Sequence, residues 1–324
     1  MDKQKLHAQF LLLAAIRDFF RMQGFLDVLT PPMVSNPGYE AHIHPFSAYS
    51  NIGKSITPYY LHTSPEFHMK ELLSLGFENI FNLSYCFRDE PNSPIHRCQF
   101  LMLEWYRAHS RYEAIMDDCE SLISYCQNYL QQQKIPTRNH SHNLKRERYT
   151  IQELFQEYLH LDILNFLERH DIAAMIDKDF KEIPLPQANL QRLHWDDYYF
   201  LLFLTLIEPR LVDRDLLLLY EFPHHLNALS TIKQSDPRVC ERFEIYIHGI
   251  ELCNCFNELT DITIQRQRFR EQSALKKQCY GYSLPEATTL FQALSRGLPP
   301  SAGIALGVER LLSAITKIEN PFYF

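Results

Sequence analysis

The chain has 324 residues, 46% of them hydrophobic and 22% charged, with a formal net charge of -7. That supplies one large core or two modest ones and gives no overall basic footprint for nucleic acid. Its eight cysteines contain no C-x-x-C pair, which excludes a zinc ribbon and argues for reduced thiols, not a disulfide framework.

The early run FLLLAAI is broken by Arg17 and Asp18, is too short to span a bilayer and lacks a small-residue cleavage site. Neither a signal peptide nor a membrane helix is expected, and the cytoplasm is the expected compartment. Residues 6 to 23 repeat apolar side chains at helical spacing and stop before Gly24. GFLDVLTPPMV reads as a strand cut off by Pro31 and Pro32, which cannot continue a central ladder. His42 and His44 in AHIHPF have no third ligand beside them, so a structural role is favoured over a metal. TSPEFHMKELLSLG predicts a loop entering a short helix that ends at Gly76.

The stretch YCFRDEPNSPIHRCQFLMLEWYR, residues 85 to 107, predicts two strands around a polar loop. Alternation puts Phe81, Leu83, Tyr85 and Phe87 on a core face and Ser84, Cys86, Arg88 and Glu90 on the other. In an antiparallel hairpin Arg88, Glu90, Phe100, Glu104 and Tyr106 share one surface, which joins a cation, an aromatic plane and carboxylates. An amphipathic sheet with its polar face in water has the same pattern, so the rest of the chain must decide.

Residues 111 to 130 read as a helix and 131 to 148 as a polar connector. The block KRERY at 145 to 149 is either a local basic patch or part of that connector. TIQE matches a capping box, with Thr150 as the cap and Glu153 reaching back, and opens a helical section to about residue 210. LLLLYEFP predicts a buried strand, and FEIYIHGIEL at 243 to 252 another, followed by a polar turn and a helix through RQRFREQSALKK. Cys253 and Cys255 fall on one face of a strand, where buried thiols are favoured over metal ligands. GIALGVERLLSAI reads as strand, glycine turn and helix. Strands from both ends of the chain with helices between them predict an α+β fold, a largely antiparallel sheet covered by helices.

Three groups of residues carry possible chemistry. Gly307 at a strand-to-helix turn and Arg310 in the first helical turn converge backbone N–H groups, a helix N-terminus and a guanidinium where a polyphosphate could bind. Glu251 and Glu258 supply two carboxylates near such a site, as magnesium requires when it shares oxygens with phosphate. The ionic face of the 85 to 107 hairpin is the third. Taken singly, each has a bland explanation as a common turn or surface charge.

Together these segments resemble the signature motifs of class II aminoacyl-tRNA synthetases, with GFLDVLTPPM as the first, FRDE...F as the second and GIALGVER as the third. TSPEFHMK, IELCNCFNELTD and GVERL are similar to the lysyl branch, over about residues 10 to 315. Lysyl-tRNA synthetases carry an anticodon-binding barrel before this core, whereas here the first catalytic helix begins within about ten residues of Met1. The expected match is therefore the stand-alone elongation factor P (R)-β-lysine ligase family. That resemblance implies one catalytic domain over 1 to 324, with a helical insertion at about 150 to 210 and no anticodon-binding domain.

It further implies ATP and magnesium, activation of (R)-β-lysine or lysine as an adenylate, and transfer to a lysine of elongation factor P. Arg88 and Arg310 are the implied catalytic cations. Arg88, Glu90, Arg97, Phe100, Glu251, Leu252, Gly307 and Arg310 would bind the nucleotide, with Phe100 on the base and Glu251 and Glu258 on the metal. Ser64, Pro65, Glu66, Tyr106, Glu258 and Ala305 would bind the amino acid, the carboxylates matching its ammonium groups. A homodimer is implied through the first motif, no membrane is implied, and tRNA is not expected as a partner. Relatives usually read HNPEF where this chain has HRCQF, so Arg97 replaces an asparagine, and Cys255 replaces the glycine of the usual NGF. Ala305 agrees with the ligase paralogue, where the tRNA enzymes commonly have glycine. A tRNA-charging fragment and a catalytically silent synthetase-like protein are the two alternatives.

Overall fold

The computed structural model describes residues 2–52, 58–94, 96–138, 144–183, 193–319 and 322. The chain forms two compact units, the first from Met1–His142 and Asn257–Phe324, the second from Asn143–Phe256.

The chain enters the first unit through helix α1 (Lys3–Met22), capped by Asp2 and ended just before Gly24, whose φ of +77° suits a residue without a Cβ. Strands β1 (Leu26–Asp27) and β2 (Met33–Val34) follow, so the single strand expected around GFLDVLTPPMV is two short ones in different sheets. Pro31 and Pro32 divide them because neither can donate to a ladder. Next come β3 (Ser47–Ala48), β4 (Tyr59–Leu61), helix α2 (Glu66–Ser74), the long hairpin β5 (Asn79–Phe87) and β6 (Gln99–Ala108), and helix α3 (Tyr112–Gln132).

The second unit begins with β7 (Arg146–Thr150) and α4 (Ile151–Leu159), joined by the expected capping box, in which Thr150 N donates to Glu153 Oε2 at 2.8 Å. KRERY is thus neither connector nor free basic patch, because β7 pairs in parallel with a later strand that no local pattern reveals. Part of the predicted connector, 139–143, lies outside the described residues. Helices α5 (Arg169–Asp179) and α6 (Trp195–Leu202) belong to the helical section, of which 184–192 also lies outside them. Strands β8 (Leu216–Pro223), β9 (Val239–Ile247) and β10 (Ile250–Asn257) complete this unit.

Here the expectation of one strand over 243 to 252 is corrected. His248 and Gly249 both adopt left-handed φ, 49° and 77°, and turn the chain back on itself between β9 and β10. Leu252 is the extra residue of a bulge, which resets the alternation between Glu251 and Cys253. Cys253 and Cys255 are buried free thiols, as the structural reading has it.

The chain then returns to the first unit as α7 (Ile262–Tyr280), α8 (Thr288–Arg296), β11 (Ser301–Gly307) and α9 (Val308–Ile315). Strands β1, β5, β6 and β11 lie side by side in that order in the first unit, and β10, β9, β8 and β7 in the second. Apart from the parallel pairs β1–β5 and β7–β8, these strands run antiparallel. The α+β fold is therefore as the sequence predicts.

Each unit has its own core. In the first, Phe20 stacks on Phe81 with centroids 4.8 Å apart and leans on Trp105 at 5.2 Å, which packs α1 against one face of the β5–β6 hairpin. In the second, Phe155, Trp195, Tyr199 and Phe203 pack over Leu217, Leu219 and Tyr246 of its strands. With helices covering the Phe81 and Trp105 face, the opposite face of β5, β6 and β11 is where the first unit concentrates its buried charges.

Candidate active site

The register explains how that face is assembled. Cys86 pairs with Phe100, Asn82 with Glu104 and Ile80 with Tyr106 across β5–β6, while Gly303 pairs with Tyr106 and Ala305 with Glu104 across β6–β11. Phe100, Glu104 and Tyr106 therefore share a face, as alternation requires. One expectation fails at the edge: Tyr85, read as core, is 37% exposed near the end of β5.

At one end of this face lies a group of buried ions. Lys70 on α2 is 1% exposed, and its Nζ is 2.6 Å from Glu66 Oε1, one helical turn earlier, and 2.7 Å from Glu258 Oε2. The second contact is ionic and off hydrogen-bond angles, which leaves Glu258 Oε2 a buried acceptor without a hydrogen-bond donor. Burial by itself drives the Lys70 ammonium down, but Glu258 and Glu66 more than reverse it and hold the lysine above its usual range. Burial also lifts Glu258, against the pull of Lys70.

Glu104 completes the group. It accepts from Ser64 Oγ at 2.5 Å and from Tyr106 OH at 3.2 Å. Burial first, and Glu66 after it, pushes its pKa up to about 8, so it carries a proton at neutral pH. Gly303 makes the arrangement possible: a Cβ there would run into the Tyr106 ring and lie 2.6 Å from Glu258 Oε1. A glycine within a strand commonly marks such close approach. Pro65 opens α2, and its carbonyl accepts from Met69 N at 3.0 Å, while Ala305 is a partly buried neighbour of Glu104 in register.

At the other end the side chains follow strand ends and loops. Arg88 extends the hairpin through its N–H to Cys98 O at 2.9 Å, and its guanidinium lies 5.3 Å from the Phe100 ring centre. Its Nε is buried with no hydrogen-bond partner, an orphaned donor that fits an anion. Glu90 follows two residues later and is half-buried. Arg310 Nη2 meets His96 Nε2 at 2.9 Å, which ties α9 to the hairpin loop beside Gly307. Arg97 Nη1 donates to the carbonyls of Ser93 and His96, and its guanidinium stands 4.8 Å from the Phe322 ring centre. His42 and His44, whose structural reading is noted above, bond Tyr280 OH at 2.8 Å and Tyr282 OH at 2.6 Å.

The second unit holds the remaining two residues expected at the nucleotide. Glu251 is half-buried opposite Tyr246, and Leu252 is buried at the bulge. Sequence reasoning missed their neighbours Arg242 and Glu244. Glu244 is pushed up to about 7 by burial, with Arg242 opposing and Glu251 adding to the rise, and it accepts from Arg242 Nη2 and from Tyr246 OH. Two carboxylates that repel each other are a donor set suited to a hard divalent cation. Their signal was the alternation of Arg242, Glu244 and Tyr246 along a strand whose other residues, Glu241 apart, are apolar. Lys70 was missed too, although it lies four residues after Glu66, where helical side chains meet.

The family profile of the class II tRNA synthetases (D, K and N) matches residues 2–320. An elongation factor P (R)-β-lysine ligase of Histophilus somni is 36% identical over 321 residues, covering 98% of this chain and 92% of its own. Proteins of the same name from Pasteurella multocida and Hamiltonella defensa are 36% and 33% identical, each covering 95% of this chain and 90% of their own. The chain belongs to the elongation factor P (R)-β-lysine ligase family. It is thus a class II synthetase-like, ATP-dependent amino acid ligase, and the resemblance drawn from the motifs is borne out. Among the described residues no helix is long and apolar enough to cross a membrane.

Proposed function

We propose that the protein activates (R)-β-lysine with ATP and transfers it to a lysine side chain of elongation factor P. The observation that carries this is the pairing, on one face, of a buried carboxylate cluster, Glu66, Glu104 and Glu258, with an orphaned Arg88 donor. The first suits an ammonium and the second a phosphate.

In the first step a substrate carboxylate oxygen bonds the α-phosphorus of ATP while the bond to the leaving pyrophosphate breaks. In the second, a neutral lysine amine bonds the activated carbonyl carbon, AMP leaves, and the amine proton passes to solvent. Arg88 neutralises the α-phosphate, Phe100 stacks on the base, Glu90 accepts from its amino group, and Gly307 and Arg310 hold the nucleotide from the α9 side. Such positioning and charge neutralisation carry the rate of this class of transfer. Glu66 and Glu258 take the ammonium groups, with Ser64, Pro65, Tyr106 and Ala305 around them. Glu251 with Glu244 would hold magnesium, which would supply positive charge to phosphate oxygens, and Glu258, already against Lys70, serves the amino acid.

Phe10, Met22, Leu26, Leu29 and Met33 are exposed by 50% or more over α1 and the first-motif segment, which supports a homodimer through that surface. Eight free thiols suit a reducing cytoplasm. Pyrophosphate exchange tests the reading: it is expected with (R)-β-lysine, more weakly with lysine, followed by labelling of elongation factor P. Absence of exchange with both amino acids ends the proposal. Labelling of tRNA in place of the protein acceptor redirects it to tRNA charging.

A further inference from the structure

A lysine sealed between two acids is poorly explained as a stabilising device, because buried ion pairs are often replaceable by apolar side chains at no loss. Lys70 nevertheless occupies the centre of the amine-binding group, 2.6 Å from Glu66 Oε1 and 2.7 Å from Glu258 Oε2. It takes one oxygen from each acid. Glu66 Oε2 and Glu258 Oε1 remain, the second being the oxygen 2.6 Å from where a Gly303 Cβ would stand. We infer that Lys70 is a specificity-determining positioning residue: by bridging Glu66 and Glu258 it fixes the spacing of the two carboxylates, and so selects which diamino acid the ligase activates. This rests on the proposed function and deepens it, since the roles proposed there belong to the acids and not to the cation between them.

The geometry carries the argument. Glu66 is on the same helix as Lys70, whereas Glu258 follows β10 and is anchored by its own N–H to Ser301 O at 2.9 Å. Without a bridge, nothing among these contacts sets the distance between two acids on separate elements. A compact ammonium with rotatable donors can join two carboxylates in this way while leaving each a free oxygen; a planar guanidinium favours a fork on one acid. Charge works in the same direction. The ionisable groups around the pair are Glu66 on α2, Glu258, Glu104 and Tyr106 of β6, and Tyr39 and Glu40, with Arg268 of α7 facing Tyr39. On the remaining neighbour of α2, Arg296 of α8 is directed to Ser74 Oγ at 2.8 Å. Lys70 opposes the effect of burial on both acids, and so favours their ionised forms, which a ligand ammonium needs.

The test uses Lys70→Met and Lys70→Arg in the full chain, with wild type alongside. Pyrophosphate exchange is followed as separate kcat and KM for (R)-β-lysine, lysine and ornithine, with the KM for ATP as the internal control. Lys70→Met is expected to raise the KM for (R)-β-lysine about tenfold to a hundredfold, flatten the preference among the three, and leave the KM for ATP within about twofold. The acid limb of kcat/KM should move to higher pH, because the acids lose the cation that holds their pKa values down, and activity should recover as pH is raised. Lys70→Arg, which keeps the charge, should hold the limb in place yet still shift the preference; it also decides the matter if the methionine variant fails to fold. An unchanged preference order in a folded variant, with wild type active, overturns this inference and leaves the proposed function standing. A wild type that exchanges with none of the three amino acids overturns both.

Discussion

At the proposed nucleotide end of the first unit's open face, Arg88, Glu90 and Arg310 are half-exposed and follow strand ends, whereas at the amine end Lys70, Glu104 and Glu258 are only 1 to 3% exposed. The first set sits where loops can adapt to a large, partly solvated ligand. The second is embedded in sheet and helix, where each charge must be matched inside the protein before any ligand arrives. Function and stability should therefore separate at one end and be bound together at the other.

Arg88→Ala probes the first half of that contrast and has the largest expected effect. Exchange should fall by about a thousandfold or more, as for loss of a cation at a reacting phosphate. The melting temperature should barely move, because Arg88 as a residue is half-exposed and its guanidinium lies over only the Phe100 ring. A large drop in melting temperature would show that the nucleotide end is as integral to the fold as the amine end.

Gly303→Ala probes the second half. The new methyl group runs into Tyr106 and crowds Glu258, so overpacking should cost about 1–3 kcal/mol in chemical denaturation. The KM for the amino acid should rise about a hundredfold as the acids are displaced, with the KM for ATP less affected. Loss of activity without loss of stability would break the contrast between the two ends.

Glu104→Gln sharpens it through pH. The folded pKa of about 8 lies above the reference value of 4.5, so between those limits the native state keeps a proton that the unfolded chain has lost. The contribution to stability is full below about pH 4.5 and is lost as pH rises through 8, at about 1.4 kcal/mol per unit. Glu309, which burial lifts to about 7 and whose carboxylate accepts from Leu101 N at 2.9 Å, adds to the same decline. Glutamine retains partners for Ser64 and Tyr106 but does not titrate. Urea midpoints stepped from pH 5 to 8.5 should fall less steeply in the variant by about one proton's worth; an unchanged slope would mean Glu104 is ionised throughout.

Much of this was legible in the chain because the hairpin obeys a period of two. Phe100, Glu104 and Tyr106 could be assigned to one face before any partner strand was known, and the third motif marked the strand, glycine turn and helix beside it. What could not be read depends on residues distant in sequence. Lys70 reads as an ordinary helix cation until Glu258 is brought beside it, after the chain has passed through the whole second unit. β7 reads as a charged connector because its parallel partner β8 lies beyond an entire helical section. Glu251 was assigned to the end of one long strand, although the His248–Gly249 turn was visible as a two-residue break, and the bulge at Leu252 hides its facing from any count of alternation.

Arg97→Asn should have the smallest effect, and it tests whether the nucleotide end gains any rigidity from its own loop. Arg97 binds the carbonyls of Ser93 and His96 and stacks near Phe322, so its contacts brace the loop whose His96 reaches Arg310. An asparagine is too short to make both carbonyl bonds and the stacking contact, so the cost falls on how well Arg310 is held. The KM for ATP should rise by about threefold to tenfold, with kcat, the KM for the amino acid and the melting temperature nearly unchanged. An equal rise in both KM values would mean that the loop reaches the amine end as well, and the division of labour between an adaptable end and a sealed one would have to be redrawn around it.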